Sequence, residues 1–378
     1  MRYYLARDCA LKLLEAPSAY SIGRDELYEL DGEGFDFLSR CAGPEGCESG
    51  EDGFVSYCLG EGILSAEKVV TRRPPVAASG TPSLRYLELQ VTRRCNLACG
   101  HCYLGPAAPV DLGVEDVRRA LEDFESMQGL RVLITGGEPL LHRRFREINA
   151  MLPRYAVRKV LLTNGLLLSP ERLEGLNVEE IQVSIDGLEA AHDRLRGEGT
   201  FRRAMKGAES ALAAGFDVSV ATVVHAGNLG DFDGMERLFT GMGVKGWTVD
   251  APCAEGNMKG NPAFALPPET AGRYLGYGFG GGLHGGGGAF ACGIHLMSVT
   301  AEGYCAKCAF YGERPVGRLS EGLRACWPRV KQYRLEDLKC GACEVAASCR
   351  GGCRYRAALH GGDELARDLY RCALYGKL

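Results

Sequence analysis

The sequence predicts an α/β protein built on a parallel sheet, and two observations carry that prediction. Six short runs rich in aliphatic and β-branched residues, at 84–91, 131–135, 159–163, 180–185, 218–224 and 245–249, recur through residues 82–265. Helical patterns lie between them: Val114, Val117, Leu121 and Phe124 share one face, and Ala204, Ala208, Ala211 and Leu212 share another. Buried strands alternating with covering helices make a parallel sheet. Six such units predict a partial (β/α)6 barrel, with chemistry at the carboxyl ends of its strands.

Length and charge bound the rest. The chain of 378 residues is long enough for two or three domains. Its net charge is −4 with acids and bases mixed throughout, and no basic stripe argues for nucleic acid. No run approaches a membrane-spanning helix, and the start, Met1 to Cys9, has no apolar signal-peptide core. The expected compartment is the cytoplasm, where thiols stay reduced. Seventeen cysteines there point to metal rather than disulfides.

Residues 1–70 read as a small α+β unit. Segments 19–22 and 26–30 alternate as short strands, and Phe35 and Leu38, then Phe54, Val55, Cys58 and Leu59, mark two short helices. Residues 71–80, rich in Pro and small side chains, read as a linker. The loop after the first barrel strand carries Cys95, Cys99 and Cys102 in C-x3-C-x2-C spacing, followed by Tyr103. Three thiolates can hold three irons of a four-iron cluster and leave the fourth iron open. Closed clusters take four thiolates and pass electrons, so the triplet points to chemistry at the vacant iron. Zinc is the alternative, since thiolates bind it too. The second strand runs into Gly136-Gly137-Glu138-Pro139. Residues 278–290 are nearly all glycine, a flexible connector or alternatively a lid, with His284 as a solvated loop residue. In the last segment, 290–378, Cys340-x2-Cys343-x5-Cys349-x3-Cys353 is followed after 18 residues by Cys372, and Cys292, Gly303 and Cys308 precede them.

The triplet, Tyr103 and the Gly136 to Pro139 segment together resemble the radical S-adenosylmethionine (SAM) enzymes, and the C-terminal cysteines resemble the SPASM extension with two auxiliary clusters. The resemblance implies that Gly136, Gly137, Glu138 and Pro139 line the SAM amino group. It implies that Asn164 meets the ribose or methionyl part, that Ser184 and Asp186 end the fourth strand at the site, and that Arg196 pairs with the SAM carboxylate through its bidentate fork. Helix capping for Ser184 and Asp186 and an exposed helix-end charge for Arg196 are the plain alternatives. Cys340, Cys343, Cys349 and Cys372 are implied to hold one auxiliary cluster, and Cys292, Cys308 and Cys353 the other. The fourth ligand of the latter is open: Cys305 first, Cys326 second, an open iron third. The domain could also serve as a set of structural staples.

His101 reads as a hydrogen-bonding residue rather than a ligand. Cys253, just past the sixth strand, reads as a buried cysteine, with a substrate-contacting or hydrogen-donating thiol as the alternative. Cys9, Cys41, Cys47 and Cys58 show no ligand spacing. The N-terminal unit is similar to the small winged-helix domains that bind leader peptides; the alternative is a cap on the barrel. In the sulfatase-maturing branch an Asp base follows the auxiliary-cluster cysteine, whereas Ala309 follows Cys308 here, which argues against formylglycine formation. The resemblance implies an enzyme that uses a 5′-deoxyadenosyl radical to modify a peptide or protein side chain, forming a thioether or carbon–carbon crosslink, with an electron donor such as ferredoxin or flavodoxin. Tetrapyrrole side-chain modification and a non-catalytic iron–sulfur electron carrier are the rival readings.

Overall fold

The computed structural model describes residues 1–50, 53–106, 108–282 and 288–378, so His284 in the glycine-rich segment lies outside the described residues. The N-terminal unit contains β1 (Arg2–Leu5), β2 (Cys9–Leu13), β3 (Pro17–Ser21), β4 (Glu26–Glu29), α1 (Gly32–Cys41), β5 (Cys47–Glu48), α2 (Gly53–Gly60) and β6 (Leu64–Ser65). The strands form two antiparallel sheets, ordered β5-β1-β6 and β2-β3-β4. Asp31 caps α1 by accepting from the Gly34 amide. Tyr3, Leu5, Leu38, Val55 and Cys58 close a core between these elements.

This unit is fastened to the barrel. Lys12 is buried in β2, and its Nζ donates to the carbonyls of Gly129 (2.8 Å) and Ala156 (3.2 Å). Arg158, fully buried, donates to the carbonyls of Ile22 (2.9 Å) and Gly23 (2.8 Å) and pairs with Glu180 and Asp217. Arg131 pairs with Asp25. The connecting segment is tied down as well: Arg72 donates to Glu125 (2.6 Å), and Arg73 to the carbonyls of Leu5 (2.6 Å) and Ala6 (2.8 Å). Because a buried cation requires such partners, these bonds fix the unit on the barrel.

The barrel strands are β7 (Tyr86–Thr92), β8 (Arg131–Gly136), β9 (Arg158–Thr163), β10 (Glu180–Ser184), β11 (Asp217–Val223) and β12 (Gly246–Asp250), all parallel and adjacent in chain order. Covering helices include α3 (Val114–Ser126), α4 (Phe145–Met151), α5 (Pro170–Leu173), α6 (Glu189–Arg196), α7 (Thr200–Ala213) and α8 (Phe232–Met242). Val114, Val117, Leu121 and Phe124 of α3 pack into the main core, as do Ala204, Ala208 and Ala211 of α7. The six expected strands and their helices make the α/β partial barrel. Arg131 and Arg158 open β8 and β9, so the N-terminal unit sits at the amino ends of the strands, opposite the cysteine loop.

The sheet continues past the six. β13 (Leu296–Val299) pairs in parallel with β7, and β14 (Tyr304–Ala306) and β15 (Gly317–Arg318) follow antiparallel, giving nine strands. The cysteine-bearing C-terminal segment is thereby anchored beside the strand that launches the first cysteine loop.

Candidate active site

The loop after β7 is pinned from two sides. Thr92 Oγ1 donates to Asp111 (2.6 Å), and Arg94 Nε pairs with the same carboxylate (3.1 Å). The loop after β8 meets it backbone to backbone: the Gly137 amide donates to the Thr92 carbonyl (2.8 Å) and the Glu138 amide to the Arg94 carbonyl (2.7 Å). This approach requires glycine. A Cβ at Gly136, whose φ is +148°, would lie 2.2 Å from the Thr92 carbonyl oxygen, and one at Gly137 would lie 2.4 Å from that of Arg94.

Glu138 is fully buried, and its carboxylate accepts from the amides of Leu140 (3.2 Å) and Asn164 (2.9 Å) and from Thr163 Oγ1 (2.9 Å). It caps the short turn Pro139–Leu141, in which Pro139 is buried. Asn164 Nδ2 in turn donates to Asn96 Oδ1 in the cysteine loop (2.8 Å). The Gly-Gly-Glu-Pro turn, Asn164 and the three-cysteine loop are thus one hydrogen-bonded unit at the carboxyl ends of β7, β8 and β9. Ser184 stands half-buried at the end of β10.

Asp186 follows β10 and is fully buried. Its Oδ2 accepts from Arg196 Nε at the end of α6 (2.5 Å) and its Oδ1 from the Val223 amide (2.7 Å). Burial pushes this carboxyl up, but the Arg196 charge, His101 and the Val223 N–H outweigh it and hold it well below the usual carboxylate range. Arg196 Nη1 faces Cys99 Sγ at 4.0 Å. His101 Nε2 lies 3.5 Å from Asp186, and its Nδ1 finds no partner among the described residues. Burial, only partly offset by Asp186, lowers His101 to about 4, so the ring is neutral at pH 7. Arg196 is therefore no exposed helix-end charge. It is held by Asp186 against the first cysteine loop.

The donor set fits an iron–sulfur group. Cys99 is buried, Cys102 half-buried and Cys95 exposed on one pinned loop. Burial, against the opposing pull of Arg196, lifts the Cys99 thiol to about 11. Among the described residues, no three His, Cys, Asp or Glu side chains converge as they would around a single metal ion. A four-iron cube spaces its sulfur ligands farther apart than one ion does.

The C-terminal cysteines divide in space. Cys340, Cys343, Cys349 and Cys372 line one cavity of 240 Å³. The Gly351 amide donates to Cys349 Sγ (3.2 Å), and Arg367 hydrogen-bonds Cys372. Cys292, Cys308 and Cys353 act on one another electrostatically as a second group. Cys305 does not join them. It lies on β14, where neighbouring side chains point to opposite faces, and it is buried in the barrel core with Leu319, Leu323 and Cys326. Its thiol hydrogen-bonds Cys326. The C-x2-C spacing of Cys305 and Cys308 thus spans a strand end rather than one loop, and Cys326, on the short helix Leu323–Cys326, sits in the same core beside Cys305.

Between the first cysteine loop and the C-terminal segment lies a cavity of 710 Å³, lined by Gln90, Tyr103, Glu255, Glu302, Phe310 and Tyr355 among others. Tyr103 packs on Phe310 (ring centroids 5.0 Å apart), and Phe310 stacks on Tyr355 (5.4 Å). One residue beside it escaped the sequence reading. Glu88 of β7 accepts from the Ala309 amide (2.8 Å), and burial raises its carboxyl to about 7 against the pull of that amide and Ser298. The signal was present: Leu87 and Leu89 face the core, so Glu88 and Gln90 must face the barrel interior. A separate cavity of 670 Å³ lies between the N-terminal unit and the barrel, lined by Arg7, Arg73, Arg154 and Lys159 among others.

Residues 89–239 match the radical SAM superfamily. The AdoMet-dependent heme synthase of Nitratidesulfovibrio vulgaris is 26% identical over 353 residues, covering 78% of this chain and 94% of its own. Mycofactocin maturase MftC of Mycobacterium ulcerans is 28% identical over 313 residues, covering 71% of this chain and 82% of its own. Among solved structures, Streptococcus suis SuiB bound to precursor peptide SuiA is 16% identical with a TM-score of 0.68, covering 98% of this chain and 100% of that one.

Proposed function

The chain carries a radical SAM domain, and from that premise we propose that it is a maturase that modifies a peptide side chain. The observation that carries this reading is the 710 Å³ cavity between the end of the first cysteine loop and the C-terminal segment, walled by Tyr103, Phe310 and Tyr355. An open aromatic trough of that size suits a peptide segment. The likeness to SuiB extends over nearly the whole chain, N-terminal unit included, and SuiB holds a precursor peptide. The rival substrate, a tetrapyrrole, rests on the heme synthase likeness.

When bound, the cluster and SAM supply a carbon radical that takes hydrogen from an unreactive C–H bond. Cys95, Cys99 and Cys102 hold three irons. Gly136 and Gly137 bring the second loop against the first, Glu138 and Asn164 lock the two together, and Pro139 starts the turn. Asp186 orients Arg196, whose remaining Nη donors serve a carboxylate of SAM. Tyr103 and Phe310 shield the reacting space from water. The C-terminal cysteines hold two auxiliary clusters, and a ferredoxin- or flavodoxin-type protein delivers the electron.

The test is anaerobic incubation of reconstituted, reduced protein with SAM and, in turn, each short peptide that a search of the neighbouring genes yields. The expected result is 5′-deoxyadenosine formed in step with a peptide that has lost two hydrogens. Turnover of an iron porphyrin with no change in any peptide would replace this reading with the tetrapyrrole one.

A further inference from the structure

With Cys305 and Cys326 hydrogen-bonded to each other in the barrel core, the group of Cys292, Cys308 and Cys353 lacks a fourth thiol. Cys253, three residues past the end of β12, reaches that group from another side. It is 6% exposed and packs in one buried cluster with Ala306, Tyr311 and Tyr355, with Cys308 and Cys353 at its edge. Cys353 is the charged neighbour that acts most strongly on its thiol. Four segments therefore converge: the end of β12, the stretch before β13, the loop after β14 and the start of the helix Arg354–Gly361.

One buried cation stands beside this group. Arg356 is buried beside Cys253 and Cys353, held by Asp250 (2.6 Å), the Ala251 carbonyl (3.2 Å) and Asp368 (3.1 Å). Asp250 and Asp368 already balance its charge, so it fixes the wall beside the two cysteines.

We propose that Cys253 is the fourth thiolate of the auxiliary cluster held by Cys292, Cys308 and Cys353, an inference that rests on the auxiliary-cluster reading above. All four irons of that cluster are then bound by protein, none is open to substrate, and its role is electron relay rather than substrate anchoring.

The experiment uses full-length protein carrying Cys95→Ala, Cys99→Ala and Cys102→Ala, so that only auxiliary clusters remain, reconstituted anaerobically. Adding Cys253→Ala is expected to leave one cluster with three thiolates. Oxidation with ferricyanide should then release its exposed iron and give a strong [3Fe–4S] EPR signal that the parent lacks. Cys326→Ala, which removes a buried cysteine of the core, should match the parent. A fall of iron content by half in Cys253→Ala, with Cys326→Ala normal, also supports ligation. Two clusters with spectra untouched by Cys253→Ala would overturn the inference alone. No cluster in the parent would overturn the auxiliary-cluster reading and this inference with it.

Discussion

Replacing Glu138 by alanine separates cofactor binding from architecture. The carboxylate is fully buried and is the acceptor for two buried backbone amides, Leu140 at 3.2 Å and Asn164 at 2.9 Å. Each amide left without a partner costs about 1–3 kcal/mol, so Glu138→Ala should destabilise the two loops by about 2–6 kcal/mol. The Thr163 hydroxyl also loses its acceptor, but it can rotate toward another. Since each 1.4 kcal/mol is about tenfold in an equilibrium, protection of these amides against hydrogen exchange should fall roughly thirtyfold or more. Peptide-resolved exchange on cluster-free protein without SAM reads this directly, and the N-terminal unit serves as an internal reference. Glu138→Gln keeps one acceptor oxygen and should fall between. Unchanged exchange at 140 and 164, with SAM cleavage nevertheless lost, would refute the reasoning and make the carboxylate purely a cofactor ligand.

Fully reconstituted protein should carry about 12 irons per chain, from three four-iron clusters; a value near four would mean that the C-terminal cysteines hold no iron. Arg196→Ala leaves Asp186 buried without its cation and should cost about 3–5 kcal/mol, seen as a lower denaturation midpoint together with loss of SAM binding. Glu15 accepts from the Ser83 amide (2.7 Å) and from Arg85 (2.5 Å); burial raises its carboxyl, but these partners bring it down to about 2. Its folded pKa lies below the unfolded value near 4.3, so the stabilisation is present above that value and lost as pH falls through about 2. Glu15→Gln should remove about 2 kcal/mol of acid-sensitive stability, allowing for partial exposure, measured as the urea midpoint of cluster-free protein between pH 5 and pH 2. Deleting residues 1–68 strips Arg131 and Arg158 of buried partners, so the truncated chain should unfold more readily as well as bind peptide more weakly, read by thermal denaturation beside a peptide-binding titration.

The barrel was legible because its strands read as short aliphatic runs, and because α3 and α7 keep helical spacing of their core residues. The cysteine loop, the glycine turn and Asn164 were legible as motifs, since each follows a strand end directly. What was not legible is held by contacts distant in sequence. β13 is four residues long and exists because β7 offers a free edge. Cys305 and Ala306 differ by one position, yet strand alternation sends one to the barrel core and the other toward Cys253. The docking of β2 through a buried lysine is equally invisible in a pattern that treats Lys12 as a surface residue.

The most direct test of the central claim is SAM cleavage itself. Anaerobically reconstituted protein, reduced and mixed with SAM, should form 5′-deoxyadenosine and methionine in equal amounts. Cys95→Ala, Cys99→Ala and Cys102→Ala should each abolish this while the iron of the C-terminal clusters remains. Cleavage that persists in any of the three, or none in the intact, fully loaded protein, would contradict the account.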